Sequence, residues 1–223
     1  MEEIEISKII RSKRRTIALV VTHDATLVIR SPLKTPVDYL KNLVNRKRDW
    51  VRAKLLEMQS KPKPKAKEFA NGEPFLYLGE SYKLKIADHI IGDVELKENL
   101  LLSQEKAYCA RDVVIKWYRS EAQKKIKERC EWYSRLTGYK PLSIKISNAQ
   151  TRWGSSGSKG TVNFSWRLIM APMEIIDYIV VHELVHLEQR DHSRLFWDKV
   201  KSIQPDFKRR RTWLRDNGRT LSI

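Results

Sequence analysis

Two histidines and a glutamate lie close together in the C-terminal half of the chain, in the order His182-Glu183-Leu-Val-His186. Residues four positions apart share one face of an α-helix, so both imidazoles can reach a single metal ion. Zinc suits imidazole nitrogens and makes water acidic near neutral pH. Glu183, next to the first histidine, is suited to accept the proton of that water as a general base. The spacing therefore predicts the catalytic centre of a zinc-dependent hydrolase.

A third histidine, His192, completes the candidate ligand set. The chain has five histidines, and three of them fall within eleven residues. His192 follows His186 by six residues, and Asp191 tolerates the left-handed backbone that would reverse the chain between them. Asp198, in the next predicted helix, is the alternative third ligand. The alternative for the motif as a whole is a pair of core histidines that are satisfied by other partners.

A tyrosine, Tyr178, precedes His182 by four residues and so shares the face of the predicted metal ligands. Its phenol could support a ligand or donate a hydrogen bond to the oxyanion that develops during attack. The alternative is an aromatic residue packed in the core with its hydroxyl satisfied elsewhere.

The elements that must position these residues follow from periodicity and from helix start and stop signals. Pro172 begins the helix that carries the motif, and Gly138 ends a long helix before it. A loop is predicted from Arg152 to Gly160, between two alternating strands. The predicted helices of this half are 105–137, 172–189, 194–204 and 207–217, and the strands are 142–146 and 161–166.

The first half of the chain has mostly strand-like residue patterns. Residues 4–31 alternate in the manner of strands around a His23-Asp24 turn. Thr35 and Pro36 are typical of a helix start, and helical spacing continues to about Met58. The Lys- and Pro-rich stretch 61–67 predicts an extended linker, and glycine turns then predict successive hairpins up to about Leu102.

These patterns predict an α+β fold in two parts. Residues 1–103 form a strand-rich N-terminal region with one helix. Residues 104–223 form a metallohydrolase domain, helical with a small sheet and an active-site helix.

Composition limits the other functional classes. Hydrophobic residues make up 41% of the chain, and no apolar run approaches the ~20 residues of a membrane-spanning helix. The first residues lack the features of a secretory signal, and the only two cysteines, Cys109 and Cys130, do not indicate a disulfide scaffold. We therefore expect a soluble, cytoplasmic protein. The formal net charge of +17 permits nucleic-acid contact, although the basic residues are spread along the chain.

The sequence around these motifs resembles the YgjP-like metal-dependent hydrolases, relatives of the SprT-like and zincin metallopeptidases. The resemblance implies a zincin-like helical fold for residues 104–223, with zinc ligands at His182, His186 and His192 and catalysis by Glu183. One departure is Ser156, which stands where the family usually has a cysteine. The matching stretches are Arg152-Trp-Gly-Ser155, Asn163, Trp166-Arg-Leu168, Ala171-Pro172, Asp177-Tyr178, His182 to His186, His192-Ser193, Phe196-Trp197, Pro205-Asp206 and Trp213-Leu214, with weaker matches at Trp50 and Gly79.

The resemblance leaves the substrate open between two classes, because relatives are named both as metallopeptidases and as a UTP pyrophosphatase. A peptidase is expected to offer the edge of strand Thr161–Trp166 to an extended peptide. A pyrophosphatase needs cations for phosphate, and Arg152 and Arg167 are the nearest in sequence; surface pairing is their alternative role. A distant third hypothesis is a nucleic-acid-binding module with a structural zinc, for which Glu183 would be unnecessary.

Overall fold

The computed structural model describes residues 4–22, 24–60 and 66–223, and the chain divides into two compact units, Met1–Lys63 and Pro64–Ile223. The division predicted from the sequence lies instead at residues 103 and 104. The strands before that point share one hydrophobic core with the helix after it, as Leu84, Leu102 and Val114 illustrate. His23 of the predicted turn, and residues 61–65 of the predicted linker, lie outside the described residues.

The first unit is a three-stranded sheet with two helices. Its strands are β1 (Ile6–Ser12), β2 (Ala18–Val21) and β3 (Leu27–Pro32), in the order β1-β3-β2. The central strand β3 runs parallel to β1 and antiparallel to β2. The helices α1 (Val37–Arg46) and α2 (Arg48–Ser60) follow.

The single helix predicted from Thr35 to Met58 is wrong in two respects. Pro36, with extended backbone angles, occupies the N-cap position in place of Thr35. The helix is also interrupted at Lys47, which has φ −106° and ψ 19°. This break lets the buried residues of both helices enter one core, which contains Leu27, Ile29, Leu40, Val44 and Val51.

The second unit begins with a four-stranded sheet. Its strands are β4 (Pro74–Tyr77), β5 (Glu80–Ala87), β6 (Val94–Leu96) and β7 (Leu100–Ser103), in the order β4-β5-β7-β6. The strands β4 and β5, and likewise β6 and β7, form antiparallel pairs. The pairing of β5 with β7 is parallel, so the segment is not a simple run of successive hairpins as predicted.

The tip of the β4–β5 hairpin contacts the segment that leads into the motif-bearing helix. The backbone N–H groups of Leu78 and Gly79 donate to the carbonyls of Ile169 and Met170, at 2.8 and 3.1 Å. Gly79 has φ +90°, and a Cβ there would lie 2.9 Å from Pro172. The turn therefore requires glycine for both its backbone angle and this close approach.

A long helix, α3 (Ala110–Thr137), follows a 3-10 helix at Gln104–Cys109, so the predicted helix 105–137 begins later as an α-helix. Gly138 ends α3 with φ 78°, as predicted. A second sheet and three helices complete the chain: β8 (Ser143–Ser147), β9 (Gly154–Ser156), β10 (Thr161–Ser165), α4 (Met173–Val185), α5 (Arg194–Ile203) and α6 (Phe207–Asn217).

The helix α4 is buried on nearly all sides. Apolar residues such as Ile176, Val180 and Leu184 are at most 1% exposed. A charged pair fixes this helix to α3, since the guanidinium of Arg129 donates to both carboxylate oxygens of Asp177 at 2.6 and 3.0 Å. Within the described parts of the chain, no helix has both the length and the apolar character needed to cross a membrane.

Candidate metal centre

The three histidines predicted as ligands converge at the C-terminal end of α4. His182 is in the last turn of α4, His186 follows the helix, and His192 precedes α5. The Nε2 atom of His186 lies 3.2 Å from the Nε2 atoms of both His182 and His192, which are 3.1 Å from each other. Among the described residues, these three histidines form a group whose ligand atoms all lie within 4.8 Å of one another, close enough to hold one metal ion.

A backbone contact fixes the tautomer of His186. Its Nδ1 atom lies 2.9 Å from the carbonyl oxygen of Gln189, which can only accept a hydrogen bond, so Nδ1 carries the proton. With the proton on Nδ1, Nε2 is the ring nitrogen that His186 can offer to a metal ion. Burial, with smaller effects from the neighbouring imidazoles and Arg211, lowers the pKa of His182 to about 3, which keeps that ring neutral.

The donor set fits a metal ion. Three nitrogens of a tetrahedral zinc site, each about 2.0–2.1 Å from the ion, are about 3.4 Å apart, close to the separations of the three Nε2 atoms. Unprotonated Nε2 atoms cannot hydrogen-bond to one another, because none of them has a proton to donate. One shared cation can accept a lone pair from each of them.

The loop that carries His192 is held by side-chain hydrogen bonds. Asp191 does not adopt the left-handed conformation predicted for it. Its carboxylate instead accepts from the Gln189 side chain at 2.6 Å and from the backbone N–H of Ser193 at 3.2 Å. The alternative ligand Asp198 lies outside the cluster and faces Arg194 at 3.6 Å.

Aromatic residues of α5 support the imidazoles. The ring of Phe196 stacks on His186, with centroids 4.4 Å apart, and the ring of Trp197 stacks on His192 at 5.7 Å. Both rings also contact His182, with centroids 4.9 and 5.9 Å apart, so the start of α5 packs against all three candidate ligands.

The carboxylate of Glu183 is buried beside the cluster. Glu183 is 5% exposed, and its Oε2 atom has no hydrogen-bond partner among the described protein groups. Burial raises the pKa of Glu183 to about 8, against the opposing charge of Arg152. A positive ion at the three imidazoles would favour the ionised form.

Sequence reasoning missed the importance of Gly154. A Cβ at this position would lie 2.5 Å from Oε1 of Glu183, so the absence of a side chain makes room for the carboxylate. Gly154 begins β9, which was predicted as part of a loop. Three residues are too few to reveal alternation, and only the glycine itself signalled a close approach.

The expectation that strand Thr161–Trp166 offers its edge to a substrate is wrong. This strand, β10, is central in its sheet: β8 pairs with it in parallel and β9 antiparallel. The edge strands are β8 and β9, and β9 with the residues after it lines a cavity of about 310 Å³ together with His182, Glu183, His186 and His192.

Tyr178 lies near the cluster on another side. Its ring centroid is 6.0 Å from that of His182, and the residue is 3% exposed. It lines a second cavity, of about 320 Å³, together with His182, Glu183 and Arg211. Burial raises the pKa of its phenol, with Arg211 opposing that shift.

The other residues singled out from the sequence have separate environments. Ser156 lines the first cavity, and its hydroxyl is buried without a partner among the described groups. Arg152 is exposed, and its charge acts on Glu183. Arg167 donates to the Asn148 side chain at 2.9 Å and stacks on Trp166, which is the pairing role considered for it.

Comparison with known proteins supports the resemblance drawn from the motifs. A family model described as "YgjP-like, metallopeptidase domain" matches residues 15–217. The crystal structure of the metallopeptidase zymogen of Pyrococcus abyssi abylysin is 23% identical, with a TM-score of 0.37, over 40% of this chain and 93% of that one. No curated protein matches the chain.

Proposed function

The chain belongs to the YgjP-like family of metallopeptidase domains, and on that premise we propose that it is a zinc-dependent peptidase. In this proposal His182, His186 and His192 hold the metal and Glu183 is the general base. The observation that carries it is the convergence of three Nε2 atoms, 3.1–3.2 Å apart, beside a buried carboxylate.

The chemistry divides between the metal and the protein. When bound, zinc acts as a Lewis acid that acidifies water and polarises a carbonyl. Glu183 accepts the proton of the attacking water and delivers it to the leaving nitrogen, so that one carboxylate serves as base and then as acid. The carboxylate of Glu183 is buried against Gly154, and this packing keeps it in one place for both proton transfers.

The peptide would lie along β9. The edge of β9 that does not pair with β10 is available for main-chain hydrogen bonds, and it lines the same cavity as the three histidines. An extended peptide added at this edge would pass its scissile bond close to Glu183.

The test is hydrolysis of unstructured peptides by zinc-loaded protein. Glu183→Gln keeps the shape of the side chain and removes the proton acceptor, so turnover should fall by roughly a hundredfold or more while zinc content holds. Glu188→Gln is a matched control, since that exposed carboxylate pairs with Lys199.

Two results would overturn the proposal. Unchanged peptide turnover in Glu183→Gln would remove this residue from the mechanism. Hydrolysis of UTP that depends on Glu183, without cleavage of any peptide, would replace a peptidase by a nucleotide pyrophosphatase.

A further inference from the structure

A basic groove lies between α5 and α6, next to the candidate metal centre. It has a volume of about 710 Å³, and four cationic side chains line it: Arg194, Lys208, Arg211 and Arg215. Asp198 is its one acidic lining residue, and it faces Arg194. The groove therefore carries an excess of positive charge.

The groove is continuous with the catalytic residues. Arg211 and Arg215 line both this groove and the cavity that contains Tyr178, His182 and Glu183. A chain that passes over Glu183 on the Tyr178 side therefore meets α6 next.

Lys208 and Arg211 of the groove differ from the neighbouring Arg209 and Arg210, which form ion pairs. Arg209 and Arg210 point to Asp206, at 3.0 and 2.9 Å. Among the described residues, neither Lys208 nor Arg211 has a carboxylate within ion-pair distance. Their positive charges can therefore be balanced by an anionic ligand.

An aromatic ring fixes the guanidinium of Arg211 in place. The guanidinium carbon of Arg211 lies 4.9 Å from the centre of the Trp197 ring, which in turn stacks on His192. An arginine held by such stacking loses less freedom when it binds a carboxylate.

We propose that this groove selects peptides that carry acidic side chains on one side of the cleaved bond, a proposal that rests on the proposed peptidase function. Lys208, Arg211 and Arg215 lie at helical spacing on one face of α6 and span about 10 Å, and Arg215 also pairs with the neighbouring Asp216 at 2.9 Å. That length matches about three residues of extended peptide. It exceeds what a single terminal carboxylate needs, so acidic side chains are the expected occupants.

The test measures binding to zinc-loaded Glu183→Gln protein, which holds peptide without cleaving it. Three N-acetylated, C-amidated fluorescent peptides would differ only in a Glu-Glu-Glu, Gln-Gln-Gln or Lys-Lys-Lys segment. At low salt the acidic peptide should bind about tenfold more tightly than the amide peptide, and the ratio should shrink as salt is added. A Gln-Gln-Gln peptide with a free C-terminus separates terminal from side-chain carboxylates.

Substitutions in α6 assign the preference to the groove. Arg211→Glu and Lys208→Glu should each reduce the ratio to about twofold or less, and the second keeps the stacking of Arg211 on Trp197. Lys116→Glu, an equal change of charge at an exposed site on α3, should keep the full ratio. Zinc content and melting temperature report whether each variant is folded.

The outcomes separate this proposal from the peptidase proposal. Equal binding of acidic and amide peptides, or a preference that survives both α6 variants, overturns the groove assignment. The same peptides are tested for cleavage by the wild-type protein. Cleavage without acidic preference leaves the peptidase standing, whereas acidic binding without cleavage leaves the groove standing.

Discussion

At the scale of single residues, the candidate centre depends on two features outside the spacing of its histidines and glutamate. The carbonyl of Gln189 sets the tautomer of His186, and the absence of a side chain at Gly154 admits the carboxylate of Glu183. The spacing of the histidines predicts which side chains could act, but these two features determine whether they are oriented to do so.

Gly154→Ala is expected to impair catalysis without removing the metal. The added methyl would lie 2.5 Å from Oε1 of Glu183, so the carboxylate must move, and peptide turnover should fall by about tenfold or more. Zinc content should stay near wild type, because no candidate ligand is touched. Gly157→Ala is the control, since its methyl would meet only the Thr161 carbonyl at 3.5 Å. Equal turnover of the two variants would contradict the role given to Gly154.

Tyr178→Phe tests whether this phenol acts in the reaction. If it donates to the developing oxyanion, removal of the hydroxyl alone should lower turnover by about tenfold, with zinc content and melting temperature near wild type. Tyr118→Phe makes the opposite comparison. The Tyr118 hydroxyl donates to the buried carbonyl of Leu76 at 2.7 Å, so its loss should cost about 1 kcal/mol of stability and leave turnover intact. A Tyr178→Phe variant that melts early but turns over normally would identify a packing residue.

At the scale of elements, the position of α4 rests on its neighbours more than on its own caps. No side-chain cap bonds its start, and the pair of Arg129 with Asp177 ties it to α3. Both side chains are largely shielded from water, at 19% and 12% exposure. Removal of one partner would leave the other charge poorly compensated.

Arg129→Met should therefore destabilise the second unit. We expect a loss of about 2–3 kcal/mol in the free energy of unfolding, measured by urea denaturation, because Asp177 keeps its burial and loses its partner. Arg135→Met, at an exposed position of the same helix, should change stability by less than about 0.5 kcal/mol. A small effect in the first variant would mean that packing alone holds α4.

Helical elements were more predictable than the sheets, for physical reasons. The helices α4, α5 and α6 can each be predicted from the helical spacing of their apolar residues and from a proline or glycine at one end. Strand partners depend on residues far apart in the chain, so nothing local reveals that β10 is central and β9 is the edge. For the same reason, residue patterns placed the division of the chain at residues 103 and 104, although β4 to β7 pack into the same core as α3.

At the scale of the whole molecule, the two units have separate cores. The core around Leu27 and Val44 belongs to the first unit, and the core around Val114 and Val180 belongs to the second. The three candidate ligands all lie in the second unit, on α4 and just before α5. A metal held there would contribute to the stability of the second unit.

Metal removal should therefore loosen one unit selectively. Chelation should speed hydrogen exchange in α4, α5 and the segment between them, and leave β1–β3, α1 and α2 unchanged. His186→Ala should lose zinc and show the fast exchange without chelator, because two remaining ligands hold zinc far more weakly. His89→Ala, at an exposed position, should behave as wild type. Stoichiometric zinc in His186→Ala would contradict the ligand assignment.

The contact between Gly79 and Pro172 has a consequence for the order in which the chain acquires its structure. The residues it joins are about 90 positions apart, so the β4–β5 hairpin is synthesised well before α4. The N–H groups of Leu78 and Gly79 can donate to the carbonyls of Ile169 and Met170 only once that later segment has been synthesised. The contact between the hairpin and the start of α4 therefore forms only after both segments have been made, and its long sequence separation raises the contact order of this unit.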